Sequence, residues 1–457
     1  MPRCIGLFLG SIGTLACAPA QSGWRQLQPL HVPPARGDAH ITYDLSRGVT
    51  VLFGGWGTTG VMNDTWEWNG TDWTARPTTR TPPARLGAAF AHDPVRGRTV
   101  LFGGNRGSGL DLSDTWEYDG ANWTQSATSG PSARLFSAMA YDFLTGRMIL
   151  FGGLPPLPDT AFGDTWAWNG IAWQGLAPTH SPAARWSHAM TTDPFGLIVM
   201  QGGTADGSSA TAMADTWVWA VADWIRLPTA TNPASVDSGM TFDSSRGVHV
   251  VFGGYPARNS TWLFANNTWL RHAAPTLPPV RSGCSLAFDA ARGKSVLFGG
   301  FNAFGSRLSD TWVYSAPLLS DWSTLGAGCA GTAGVPGLFP VAPSRPVLGT
   351  TFSLAVTSVA DGPVAVAFGF STSVWRGMPL PAAMGAVGMP GCTLYTSVDF
   401  LAFATAVNAR AAVALAVPAA PALAGLTFAS QAISLDPTAN AFGAVLTNGG
   451  LAILGEL

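Results

Sequence analysis

The chain has 457 residues, a net charge of −2, and charged side chains at only 11 % of its length. So sparse and balanced a charge leaves no electrostatic footprint for a nucleic-acid partner, and the length exceeds one ordinary small domain. With 55 glycines, 34 prolines and 47 % hydrophobic residues, the composition calls for many short strands joined by turns.

Residues 1–20 read as a signal peptide. Met1-Pro2-Arg3 is a short basic region, residues 5–16 are an apolar run, and Ala18-Pro19-Ala20 offers small residues for cleavage after Ala20. The expected location is therefore secreted or cell-envelope, extracellular or periplasmic. Cys17 raises a lipoprotein alternative, although Thr14 stands where a lipobox has Leu. The most apolar later stretch, residues 401–426, is interrupted by Asn408, Arg410, Pro418 and Pro421 and does not read as a membrane span.

From there a phrase recurs every 46 to 51 residues. Its first half is Phe-Gly-Gly, beginning at Phe53, Phe102, Phe151, Phe252 and Phe298, with a degenerate copy at Gln201. Its second half is Asp-Thr-Trp, beginning at Asp64, Asp114, Asp164, Asp215 and Asp310, with Ser260 in the fifth copy. Such a period marks an array whose repeats bury their apolar faces only against neighbours. Within the second repeat, residues 87–92 predict an inner strand and residues 93–97 a hairpin turn. Residues 99–102, 114–118 and a segment around Trp123 predict three more strands. Four antiparallel strands per repeat make a propeller blade. Trp24 lies 12 residues before Arg36, as Trp73 does before Arg85, so the segment around Trp24 predicts an orphan fourth strand that completes the last blade. Trp322 is the competing candidate.

Paired glycines after an apolar strand, then spaced aromatics, then an Arg opening the next unit, resemble kelch repeats over residues 24–316. The resemblance implies a six-bladed propeller, taken here as residues 21–317 and similar to the central domain of galactose oxidase. It also brings in copper radical oxidase chemistry as an alternative, which would use two tyrosines, two histidines and a cysteine. The tyrosines here, such as Tyr43 and Tyr118, interchange with Phe or Trp at their repeat positions and read as structural.

Five arginines, Arg36, Arg85, Arg134, Arg185 and Arg281, open the inner strands and could ring an anion site at the channel mouth. However, the fifth repeat, with Ser235 and Ser260, lacks both the Arg and the Asp. Joint loss favours an ion pair inside each blade: Arg36 with Asp64, Arg85 with Asp114, Arg134 with Asp164, Arg185 with Asp215 and Arg281 with Asp310. Of 19 tryptophans, 15 hold repeat positions and read as core. Trp56, Tyr255 and Phe301 instead follow the double glycines on variable loops, and they are the candidate ligand-binding residues.

Beyond residue 320 the period vanishes. Strands are predicted over residues 352–359, 364–370, 396–402, 410–417 and 443–446, as in a β-sandwich over residues 320–457. This segment resembles a C-terminal module of exported bacterial proteins. Cys329 and Cys392 both lie in it and are paired as a disulfide, which leaves Cys284 a free thiol. The leading expectation is an all-β, monomeric, non-enzymatic binding protein for a glycan or an extracellular protein, with no metal or cofactor. A carbohydrate-active enzyme or copper oxidase, and a structural envelope component, are the alternatives.

Overall fold

The computed structural model describes residues 22–457, apart from Ser108, residues 157–159, residues 194–195, Gly207, residues 209–210, Ala230 and residues 342–343. The signal-peptide and Cys17 readings lie outside the described residues. The described chain is all-β and propeller-like, and it divides into compact units at residues 22–316 and 317–457. Among the described residues no helix is long and apolar enough to cross a membrane.

The second repeat shows how the sequence makes a sheet. Ala89–Asp93, Arg98–Phe102, Thr115–Tyr118 and Trp123–Ala127 pair antiparallel in that order. Asp93 forms the first turn, its Oδ1 accepting the Val95 and Arg96 N–H groups at 3.1 and 2.9 Å. Asp119 does the same at the outer hairpin, accepting Ala121 and Asn122 N–H at 2.8 Å. These side chains substitute for backbone partners and stop each strand where the turn is needed. The inner strand starts two residues later than the pattern predicts, because Gly87 turns at φ +62° beside the next sheet before pairing begins.

Among the described residues, six sheets of this kind follow one another over residues 23–315, five of four strands and the first, over residues 36–75, of five. The last consists of Ser285–Asp289, Lys294–Phe298, Thr311–Ser315 and the N-terminal strand Gly23–Leu27, with Trp24 opposite Tyr314. Trp322 belongs to the other unit, opposite Ala452. Each sheet buries apolar side chains against its neighbours. Val51 and Phe53 of the first sheet meet Leu101 and Trp123 of the second, while Trp68 and Trp73 of the first meet Val296 and Phe298 of the sixth.

Three sets of hydrogen bonds run around all six sheets and return to their start. The fourth-strand indoles of Trp73, Trp123, Trp173, Trp224, Trp269 and Trp24 donate to Thr311, Thr65, Thr115, Thr165, Thr216 and Thr261 Oγ1, at 2.8 to 3.0 Å. The second glycine of each pair donates its N–H to the carbonyl at the next sheet's arginine position, as Gly55 does to Arg85 at 2.9 Å and Gly300 to Arg36 at 2.9 Å. The third set joins Asp38, Gly87, Phe136, Ser187, Asp237 and Gly283, each N–H bonding the preceding sheet's carbonyl. The phrase requires glycine for the second set: a Cβ on Gly103 would lie 2.6 Å from the Arg134 carbonyl oxygen, and Gly103 has φ +69°.

In the C-terminal unit a five-stranded antiparallel sheet runs in the order Asp321–Leu325, Ala444–Ile453, Thr427–Leu435, Gly362–Gly369, Phe400–Ala406. A three-stranded sheet comprises Gly337–Pro340, Thr351–Thr357 and Arg410–Ala416. One core draws on both, with Phe352, Leu354 and Val413 packed among Val364, Val366, Phe368 and Phe428. The strand predicted over residues 396–402 begins only at Phe400. Before it, Ser397 Oγ and Asp399 Oδ2 accept the N–H groups of Ser371 and Phe370 at 3.1 and 2.7 Å and hold a turn. Thr427–Leu435 has no counterpart among the predicted strands: it lies inside its sheet, buried along most of its length, and so lacks the alternation that marks a half-exposed strand.

Cys329 and Cys392 are disulfide-bonded across 63 residues, with their Cα atoms 4.7 Å apart, and both lie in a cluster with Leu446 and Met389. Changing both to serine is expected to cost up to about 4 kcal/mol in the chain-entropy picture. Urea unfolding of the full chain should show an earlier transition. An unchanged midpoint would mean that the cross-link restricts little of the unfolded ensemble.

Candidate functional site

The arginines are structural donors at the start of each inner strand. Arg85, with no exposed surface, gives Nε to the Pro83 carbonyl at 3.1 Å, Nη1 to Gly103 O at 2.9 Å and Asp114 Oδ1 at 2.7 Å, and Nη2 to Asp114 Oδ2 at 3.0 Å. Four of its five N–H groups are thereby engaged inside its own sheet. Arg36 with Asp64, Arg134 with Asp164, Arg185 with Asp215 and Arg281 with Asp310 repeat this bidentate geometry. Each Asp also accepts the indole N–H of the Trp two residues on, as Asp114 does from Trp116 at 2.7 Å. Burial alone would raise these carboxyls. The arginine's hydrogen bonds and charge, together with the indole N–H, outweigh it and hold all five below the usual carboxylate range.

The fifth sheet replaces the arginine with another donor. Gln201 stands where other sheets have phenylalanine and is fully buried. Its Nε2 donates to the Pro233 carbonyl, the counterpart of the carbonyls that each arginine's Nε takes. Its Oε1 accepts from Ser235 Oγ at 2.7 Å. The degenerate glycine phrase and the missing ion pair are thus one compensated change.

The three candidate aromatics are not one constellation. Trp56 is 44 % exposed, and its ring meets that of Phe301 edge-on at 6.2 Å. The Arg307 guanidinium lies 4.8 Å from the Trp56 ring centre and 5.7 Å from that of Phe301. Phe301 is itself anchored: a Cβ on Gly37 would lie 2.1 Å from its ring. Tyr255, half exposed on the fifth sheet's loop, forms no ring contact with either among the described residues. Arg307 gave no sequence signal, because it lies on a loop whose length varies between repeats.

The innermost strands enclose space along their common axis. A cavity of about 430 Å³ is lined by residues of the inner strand of all six sheets, including Tyr43, Phe90, Met139, Met190, Phe242 and Leu286. A smaller one, about 120 Å³, lies toward the arginine end beside Asp38, His40, Phe136, His188 and Asp237. Burial pushes His40 and His188 down to about 3, with the arginines Arg85 and Arg185 adding to it, and burial pushes His249 down to about 3 as well. Burial raises Asp237 to about 6, and burial together with the charge of Asp237 raises Asp38.

Cys284 is buried, its thiol donating to the Phe252 carbonyl and pushed up by burial to about 11. Among the described residues no three His, Cys, Asp or Glu side chains come together as a set that could hold a metal ion. Neither a scan against protein-family models nor a search of curated proteins finds a match to this chain.

Two outcomes are expected. Gln201→Phe, which restores the repeat consensus, should destabilise the protein by about 1–3 kcal/mol in urea melts, because the Pro233 carbonyl loses its donor and Ser235 Oγ keeps only Ser238. A neutral result would sink the compensation. Second, the five depressed carboxyls bind fewer protons folded than unfolded, so their stabilisation is present above about pH 4 and lost as pH falls below it. The depressed histidines, His40, His188 and His249 among them, extend that loss upward to about pH 6.5. Asp237 acts oppositely: its stabilisation is present below about pH 4 and lost as pH rises through about 6. Asp237→Asn should therefore melt later than wild type at about pH 8 and together with it at about pH 3.5; equal melting at both would rule out the raised carboxyl.

Proposed function

We propose that this chain is an exported, non-enzymatic binding protein. In this reading a six-bladed kelch-type propeller, residues 21–317, presents a loop face to a glycan or protein partner, and a β-sandwich follows over residues 320–457. The recurrence of four-stranded sheets and the three hydrogen-bond sets that return to their start support the blade reading. The core shared by the two C-terminal sheets supports the sandwich.

The observation that carries the functional reading is the Trp56–Phe301–Arg307 cluster. Trp56 offers a broad apolar face nearly half open to solvent, held at its edge by an anchored phenylalanine and stacked on by a guanidinium. An indole face of this kind suits the apolar face of a sugar ring, while the planar guanidinium donates to hydroxyls or carboxylates beside it. The occupant favoured is therefore a glycan, an acidic one in particular. Tyr255 is a separate, weaker contact on the same kind of loop.

Thermal unfolding of residues 21–457 against a panel of neutral and acidic polysaccharides tests this. At a hundred times its dissociation constant a ligand should add about 2.7 kcal/mol to the folded state. That gain should vanish in Trp56→Ala and fall in Arg307→Gln for acidic glycans. No shift with any polysaccharide would reject the glycan and leave a protein partner or a structural role.

A further inference from the structure

The position two residues after each arginine, and after Ser235 in the fifth sheet, is occupied in turn by Asp38, Gly87, Phe136, Ser187, Asp237 and Gly283. All six have φ between +48° and +62°. Their N–H groups each donate to the preceding sheet's carbonyl, at 2.6 to 3.4 Å, and the last bond joins Asp38 to Gly283. This collar brings two carboxylates from the first and fifth sheets to one opening, where Asp38 Oδ1 lies against Gly283, between them in the collar. Among the described residues neither carboxylate forms an ion pair. The nearby arginines Arg85, Arg185 and Arg281 are held by Asp114, Asp215 and Asp310.

The 120 Å³ cavity bounded by this collar contains a second, independent sign of a ligand. His188 is 7 % exposed, lines the cavity, and has no protein partner on either ring nitrogen. Ser137 Oγ, also 7 % exposed and on the cavity wall, has none either. Buried polar groups without partners are costly, so residues of this kind mark where a polar guest is received. The Phe136 ring stacks on Trp186 at 5.6 Å and also lines the space.

We propose that this cavity binds the primary ammonium group of a small amine. The wall offers acceptors, namely two carboxylates, a neutral imidazole nitrogen and a hydroxyl, together with an aromatic ring. An ammonium has three donors and a positive charge for them, and it is stabilised over an aromatic face. An anion would meet the two carboxylates. A divalent metal would need three protein ligands that the residues do not assemble. The volume accommodates an amine head group with a short alkyl chain.

Isothermal titration of the full mature chain with ethylammonium chloride at pH 8, against sodium chloride at matched ionic strength, tests the site. Saturable binding is expected. It should weaken at least tenfold in Asp38→Asn and in Asp237→Asn, isosteric changes that remove charge, and persist in Trp56→Ala. Tetramethylammonium, equally charged but without N–H donors, should fail to compete in the wild type, a comparison that needs no variant to fold. No saturable binding of ethylammonium, equal competition by tetramethylammonium, displacement by calcium, or undiminished binding in both Asn variants would each overturn the proposal.

Discussion

The N-terminal unit depends on a contact between neighbouring sheets that has to close on itself. A fourth-strand indole reaches across to a threonine of the adjacent sheet, and the sixth such bond returns to the chain's first strand. Apolar burial between sheets supplies most of the stabilisation but is indifferent to small slips. A directional bond between two buried groups is not, because a misplaced sheet would strand an indole N–H and a hydroxyl away from water. The recurring Asp-Thr-Trp phrase reads as a division of labour under that constraint. Its Asp holds the sheet's own arginine and indole, its Thr receives the neighbour's indole, and its Trp packs beside both.

This explains what could be read from the chain. Strand order, the hairpins at Asp93 and Asp119, and the role of Trp24 were legible because identical geometry recurs and demands identical residue types. The collar was not. Asp38, Gly87, Phe136, Ser187, Asp237 and Gly283 share a backbone conformation and a hydrogen bond, neither of which dictates a side chain. A pattern of residue types therefore does not display them. Arg307 was hidden for a different reason: its partners are supplied by two different sheets, and the equal-length loop of the second sheet carries Asp111 at the matching position. In the C-terminal unit, Thr427–Leu435 was invisible because burial along most of the strand erases the period of two.

The fifth sheet shows how far the repeat can depart from itself. Losing the arginine leaves the Pro233 carbonyl without its donor, and the remedy comes from Gln201 in the preceding sheet. The cost was a phenylalanine of the inter-sheet core, exchanged for an amide that satisfies two groups at once. Repeats that look independent in sequence are thus coupled across their boundary, and an exception in one copy is explained by reading its neighbour.

Among the described strands of its unit, Gly23–Leu27 comes earliest in the chain, yet it pairs in the sixth sheet. Its Trp24 indole bonds Thr261, 237 residues away, and its backbone pairs with Thr311–Ser315. During synthesis this strand must wait with an aromatic side chain uncovered until nearly the whole unit has emerged. Sheets one to five can stack in order as they appear, but the sixth remains a three-stranded edge until the first and last strands of the unit meet. Long-range closure of this kind is slow and leaves unpaired edges in the interim. A chain interrupted anywhere between the first and sixth sheets would therefore leave Gly23–Leu27 without the strand it pairs with.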